Sequence, residues 1–207
     1  PTAYLHGLTL GEAAKMISGA GWIPGGKSAD LTVVPCSGLT RKERNGFLPW
    51  DETGLPWVPT SPNVRSPRTA LFYAVTGIVG ELPVCSLGLG TADAFAVYGR
   101  PGLDSTAYAK AVNKELALLP AVGIAASAHT FTPTKGVFAG KRCSGVRLTI
   151  DNPINGILTY PNFALMTALR SLGVTVRISG DSGRLFNLSC GTNAVQKAFA
   201  AGGNAKD

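Results

Sequence analysis

Charge is scarce in this chain: 15% of its 207 residues are Asp, Glu, Lys or Arg, against 45% that are hydrophobic. That balance excludes a disordered polyelectrolyte and suffices for one globular domain, or two small lobes, with a buried core. Long apolar runs are missing too. No stretch approaches the roughly 18 to 20 residues that a membrane-spanning helix needs. Acid–base chemistry has few carriers, with 12 acidic residues and only two histidines, His6 and His129. Pro1 to Gly7 lacks both the basic stretch and the apolar core of a signal peptide. A chain opening on proline reads as a mature, cleaved or trimmed product.

Cysteine is sparse and dispersed. Cys36, Cys85, Cys143 and Cys190 form no C-x-x-C pair and no Cys/His cluster, which argues against a structural zinc site. Two disulfides or buried free thiols both remain open. No metal or organic cofactor is implied. The formal charge of +7 favours polyanionic surroundings: nucleic acid, anionic lipid or acidic cell-wall polymers. Its densest clusters, Arg41-Lys42-Glu43-Arg44 and Lys141-Arg142, lack the aromatic interleaving that stacks on bases, so no specific nucleic-acid partner is expected.

The order of elements is partly readable. Thr9 and Glu12 form a capping box, and Leu10, Ala13, Ala14 and Ile17 then fall on one helical face. The β-branched run Asp30 to Pro35 predicts a strand. Residues 36 to 67 are a long irregular stretch rich in Pro, Gly, Trp and charge, a type of loop that is often functional. Ser66-Pro67 opens a helix whose apolar face carries Leu71, Phe72 and Val75. Asp104-Ser105 caps another through Leu116, with Tyr108, Ala111 and Val112 inward. Strands are predicted at Ser127–Thr132, Val146–Ile150 and Val174–Ile178. Helices are predicted at Asn162–Leu172, ending at Gly173, and at Thr192–Ala201. Helices alternating irregularly with short strands imply an α/β or α+β fold, helices packed on a mixed sheet.

The Gly-x-Gly of Leu87 to Thr91 lacks the rest of a dinucleotide or Walker motif and reads as a tight backbone turn. No G-x-S-x-G elbow surrounds a serine, and each histidine reads as structural or solvent-exposed. Glycoside cleavage needs two carboxyl groups. Most acidic residues are explained by caps, turns or exposed faces. Glu81 is not, standing after the apolar stretch Phe72 to Val79 and beside the glycine-rich loop. Asp51, Glu52 and Asp93 are further candidates.

Several segments, in order, resemble the exo-β-N-acetylmuramidase family. They are HGLTLGEAA (6–14), DLTVVP (30–35), WDETGLPWVPTSPN (50–63), TAL (69–71), FTPT (131–134), Ala139-Gly140, Cys143-x-Gly145-Val146 and Gly191-Thr192. The resemblance implies a secreted or periplasmic protein that acts on N-acetylmuramic acid at the non-reducing ends of peptidoglycan. The family has an N-terminal Rossmann-like catalytic domain, a C-terminal domain and an active site in the cleft between them. On that reading residues 1–207 form a single domain resembling the C-terminal half, without the N-terminal domain. It would be catalytically incomplete alone. Its partners would be a muramyl glycan or peptidoglycan fragment and an N-terminal catalytic domain or another envelope protein.

Carried onto this chain, the resemblance makes Glu81 the catalytic or sugar-contacting carboxylate. Trp57, Asn63, Ser86, Thr91, Phe131, Thr132 and Thr134 would line the substrate cleft. The family loop, close to E-G-T-N-x-S-E-G-R-G-T-T-x-P-F, is matched at Glu81, Ser86, Gly88, Gly90, Thr91 and Phe95. It departs at Val84, Leu87 and Leu89, which stand for Asn, Glu and Arg. The loss of those polar groups gives an alternative expectation, a non-catalytic binding or interaction subunit whose leucines form a protein contact.

Overall fold

The structure, a computed structural model, describes residues 4–38, 50–119, 123–151 and 157–204. The basic cluster Arg41-Lys42-Glu43-Arg44 lies outside them. The chain divides into two compact units, one of Leu5–Leu48 and one of Pro1–Tyr4 with Pro49–Asp207.

In the first unit, helix α1 (Leu10–Gly19) starts at the expected capping box: Glu12 N–H donates to Thr9 Oγ1 (3.2 Å), and Thr9 N–H donates to Glu12 Oε2 (2.9 Å). Its predicted apolar face is not buried; Leu10 is 91% exposed. The run Asp30 to Pro35 is not a strand. Among the described residues no neighbouring chain segment offers it a ladder, and β-branched residues form a strand only where they find a pairing partner.

The second unit carries the core. Its sheet has the order β1-β3-β2, with β1 Val97–Arg100, β2 Ile124–Phe131 and β3 Cys143–Ile150. Both ladders are antiparallel, pairing Tyr98 with Val146 and Ala126 with Leu148. Helices packed on a sheet is thus the observed class, and the sheet expected to be mixed has one pairing mode. Val146 and Leu148, both fully buried, face α3 (Ser105–Leu116), against which α4 (Tyr160–Ser171) packs in turn. Fully burying such a side chain contributes about 1.5–3 kcal/mol. Tyr108 of α3 donates its hydroxyl to Leu165 O of α4 (3.1 Å), satisfying a polar tip inside the core. The free edge of β2 is closed by a side chain: Asn113 donates to Ala126 O (2.8 Å) and accepts from Ala126 N–H (2.9 Å).

Helix α2 (Pro67–Thr76) has Ser66 as its cap, accepting from Thr69 N–H, as expected. A short 3₁₀ turn, Val79–Glu81, follows it. Asn162, in the first turn of α4, locks these pieces together. Its Oδ1 accepts from Val79 N–H, and its Nδ2 donates to Ala74 O and Thr159 O, each at 3.0 Å. Asn162 is completely buried.

Elsewhere the C-terminal elements depart from expectation. Val174 to Ile178 is extended but unpaired, delivering Val174, Val176 and Ile178 to the core from one side. Helix α5 (Gly180–Cys190), unpredicted, follows it; α6 (Ala194–Ala200) falls within the predicted last helix. Arg170 clamps the end of α6, donating to Phe199 O (2.9 Å), Gly202 O (3.2 Å) and Gly203 O while lying over the Phe199 ring. All four cysteines are free thiols, and burial pushes the Cys85 thiol up to about 12.

Replacing Asn162 by alanine leaves the buried Val79 N–H and Ala74 O without that partner, while Thr159 O keeps its bond from the residue-162 backbone N–H (3.2 Å). We expect Asn162→Ala to lower the unfolding free energy by roughly 2–4 kcal/mol, read as the urea midpoint at unchanged m-value.

Candidate functional site

Because strand side chains alternate, the face of the sheet opposite Val146 and Leu148 carries Val97 and Gly99 of β1, Gly145 and Arg147 of β3, and Ser127, His129 and Phe131 of β2. The loop of residues 86–96 folds over that face. It starts as a fourth edge, with Ser86 N–H donating to Gly99 O (2.7 Å) and Gly99 N–H to Ser86 O (3.2 Å). It then turns at Gly88, whose φ is +68° and whose Cα lies so close to Val97 that any side chain would overlap it. The turn is held by Thr91: its N–H and hydroxyl both donate to Gly88 O, and its Oγ1 accepts from Asp93 N–H (3.2 Å).

A second loop meets this one. Thr134 N–H and Lys135 N–H both donate to Leu89 O at 3.1 Å, and Gly90 leaves no room for a methyl beside Thr134 Oγ1. The fold therefore brings Ser86, Thr91, Phe131 and Thr134 to one side of the sheet, with Thr132 exposed just past the end of β2. Ser86 and Phe131 are themselves buried. Two departures from the family pattern lie in this loop. Leu87 is 8% exposed, packs over Gly80 and belongs to the core; Leu89 lies against Gly136. Leu87 thus supplies no surface for a partner.

On the open part of the same face stands a polar cluster. Arg147 Nη2 donates to Asp93 Oδ2 (2.6 Å) and to His129 Nε2 (3.1 Å), and the His129 ring lies parallel to Phe131 with centroids 6.4 Å apart. Asp93 and Arg147 are 32% and 39% exposed, so their attraction is partly screened by water. His129 has a lowered pKa, chiefly from burial and then from the Arg147 charge, with Asp93 opposing. A neutral imidazole accepting from Arg147 on Nε2 carries its proton on Nδ1. The sequence alone sets His129 aside and does not single out Arg147; the available signal is its place between Val146 and Leu148, outward where both neighbours point in.

Among the described residues no hydrogen bond joins Glu81 to that cluster. Glu81 ends the 3₁₀ turn that Asn162 holds and is half-buried. Its charge acts on Tyr4, whose pKa is raised well above the usual phenol range by burial, by Tyr73 and by Glu81. Tyr73, 42% exposed, meets Phe95 edge-to-face at 5.0 Å. Phe95 has φ +67°, unusual for a bulky residue, and its carbonyl accepts from the buried Thr76 hydroxyl (2.9 Å). Trp57 packs edge-on against Trp50 at 5.3 Å, and Asn63 lies in the Ser61–Val64 turn before α2. Trp57 Nε1 and Asn63 Oδ1 are buried and have no hydrogen-bond partner among the described residues. Among the described residues no hydrogen bond joins either to the glycine-rich loop.

The comparisons with known proteins agree with one another. The family model described as exo-beta-N-acetylmuramidase NamZ, C-terminal, matches residues 71–207, and its N-terminal counterpart matches residues 1–68. The two matches meet in the first turns of α2. The peptidoglycan beta-N-acetylmuramidase NamZ of Bacillus subtilis (strain 168) is 33% identical over 152 residues, which cover 73% of this chain and 33% of that protein. The crystal structure of a DUF1343 family protein from Bacteroides fragilis NCTC 9343 superposes with a TM-score of 0.82 at 27% identity, covering 96% of this chain and 50% of that one. The matches therefore span half the length of the solved relative and a third of the curated one.

The His129 titration tests the cluster. Its imidazole should titrate below the ordinary value near 6.5, read from the ring C–H proton shifts. Arg147→Met should move the midpoint up and Asp93→Asn should move it down. Because the folded pKa is the lower one, the stability contributed by neutral His129 is present above about pH 6.5 and lost as pH falls through the folded midpoint.

Proposed function

The chain belongs to the exo-beta-N-acetylmuramidase NamZ family, and from that premise we propose that it contributes to hydrolysis of peptidoglycan at muramyl residues, with Glu81 as its reacting carboxylate. The observation that carries the reading is the setting of Glu81. A half-buried carboxylate, without an ion-pair partner among the described residues, stands within electrostatic reach of Tyr4 beside the exposed ring of Tyr73. Carboxylates do the proton transfer or nucleophilic attack of glycoside cleavage, and aromatic rings cover the apolar faces of sugars.

Hydrolysis takes a second carboxyl group. Asp93 is committed to Arg147, so it serves the sheet cluster. Residues 1–68 match the family's N-terminal model, and the matches span half or less of each relative's length; the reading therefore assigns the second carboxyl group to the further N-terminal-domain sequence that those relatives carry. Such a substrate would be met outside the cytoplasmic membrane, in the periplasm or after secretion. Thr91, Thr134 and Thr132 would meet the glycan at the loop edge. Trp57 and Asn63, each with a buried polar atom lacking a partner among the described residues, would belong to the same cleft.

Release of 4-nitrophenol from its β-N-acetylmuramide tests the reading. The chain is expected to release it when mixed with the N-terminal domain of the Bacillus subtilis relative, and Glu81→Gln should cut the rate at least ~100-fold. Equal rates for the native mixture and the Glu81→Gln mixture would remove Glu81 from the chemistry. No release from either would favour the binding-subunit alternative.

A further inference from the structure

The outward face of the sheet holds one cation in a setting unlike the others. Lys135 is fully at the surface, Arg100 lies over the Phe138 ring, and Arg170 is consumed by the carbonyls that end α6. Arg147 instead rises from the central strand, backed by the small core of Val97, Phe131 and Cys143. Its orientation is set from two sides through one nitrogen: Nη2 donates both its hydrogens, to Asp93 Oδ2 and to His129 Nε2. Among the described residues Nη1 and Nε donate to nothing, while the side chain remains 39% exposed.

A guanidinium fixed at one nitrogen and open at the others is prepared for a further oxygen acceptor. The single Asp93 carboxylate answers its charge, and the imidazole beside it is an acceptor without charge. The loop hydroxyl of Thr91 and the exposed Thr134 flank the same loop edge. We propose that Arg147 is the carboxylate anchor of this protein: it binds the carboxyl group of an acidic amino sugar through Nη1 and so distinguishes muramyl from glucosaminyl residues. The inference deepens the proposed function and rests on it for the identity of the sugar. N-acetylmuramic acid and N-acetylglucosamine share the ring and the acetamido group, and the first adds an ether-linked carboxylate, which is the group an arginine can select.

The test is binding of the two free sugars to the intact chain, followed by amide and arginine side-chain NMR shifts. N-acetylmuramic acid should bind about tenfold more tightly than N-acetylglucosamine and shift the Arg147 Nε–Hε and His129 ring signals. Arg147→Gln should bring the ratio close to one, and Arg147→Lys should restore part of it. Asp93→Asn, which removes the competing carboxylate, should strengthen muramic acid binding, so the idea stays testable even if the glutamine variant folds poorly. A preference for muramic acid that survives Arg147→Gln would overturn the anchor and leave the proposed function standing. Equal binding of both sugars to the native chain would also overturn it. Binding of neither sugar would also overturn the anchor, and the mixed-domain assay would then decide the proposed function.

Discussion

The arrangement depends on one buried amide. Asn162 reaches from the start of α4 to the end of α2 and to the 3₁₀ turn that follows, satisfying three backbone groups with one side chain. Leaving such groups unpaired in the interior costs about 1–3 kcal/mol each, so an apolar residue of the same size would not serve. Glu81 ends the turn whose first N–H Asn162 holds. A core hydrogen bond thereby sets where the candidate carboxylate emerges, and the same side chain ties α4 to the end of α2.

The sheet then separates two jobs by alternation. On one face Tyr98, Val146 and Leu148 are fully buried beneath the helix layer. The other face is covered incompletely, by a loop that can lie there only because Gly88 and Gly90 carry no side chain. Where the loop ends, Asp93, Arg147 and His129 remain partly exposed. Close backbone approach at the glycines and a polar strip beyond them are two results of the same geometry. A bulkier loop would stand off the sheet and separate Asp93 from Arg147.

Local chemistry was legible where it is self-contained. The caps at Thr9, Ser66 and Asp104 are short-range hydrogen bonds between neighbours in sequence, and all three form. Strand assignments fared unevenly because pairing is non-local. Ser127–Thr132 and Val146–Ile150 found partners, overlapping β2 and β3; Asp30–Pro35 and Val174–Ile178 have the same β-branched character and found none. Helix α5 was hidden by glycine and serine in its first turns, where propensity is poor and tertiary packing of Phe186 decides. Of the candidate site, only single residues, Glu81 and the glycine-rich loop, were legible, as expectations. Its assembly was not, since Asp93, His129 and Arg147 lie far apart in sequence: strand pairing brings His129 to Arg147, and the fold of the loop brings Asp93.

Register and burial also change the meaning of the leucines that depart from the family pattern. Taken as text, Leu87 is a polar cleft group replaced by an apolar one. In the fold its side chain points away from any cleft, filling the space above Gly80. A glutamate at that position in this backbone would place a carboxylate against Gly80 in the buried core, a placement that costs several kcal/mol or forces protonation. Restoring the family residue would therefore require the loop to turn over, carrying Gly88 off Val97 and Asp93 away from Arg147. The departure at Leu87 and the Asp93–Arg147–His129 cluster are consequently two sides of one loop conformation. The fixed positive charge on this side of the molecule stands on the sheet, at Arg147, rather than on the loop.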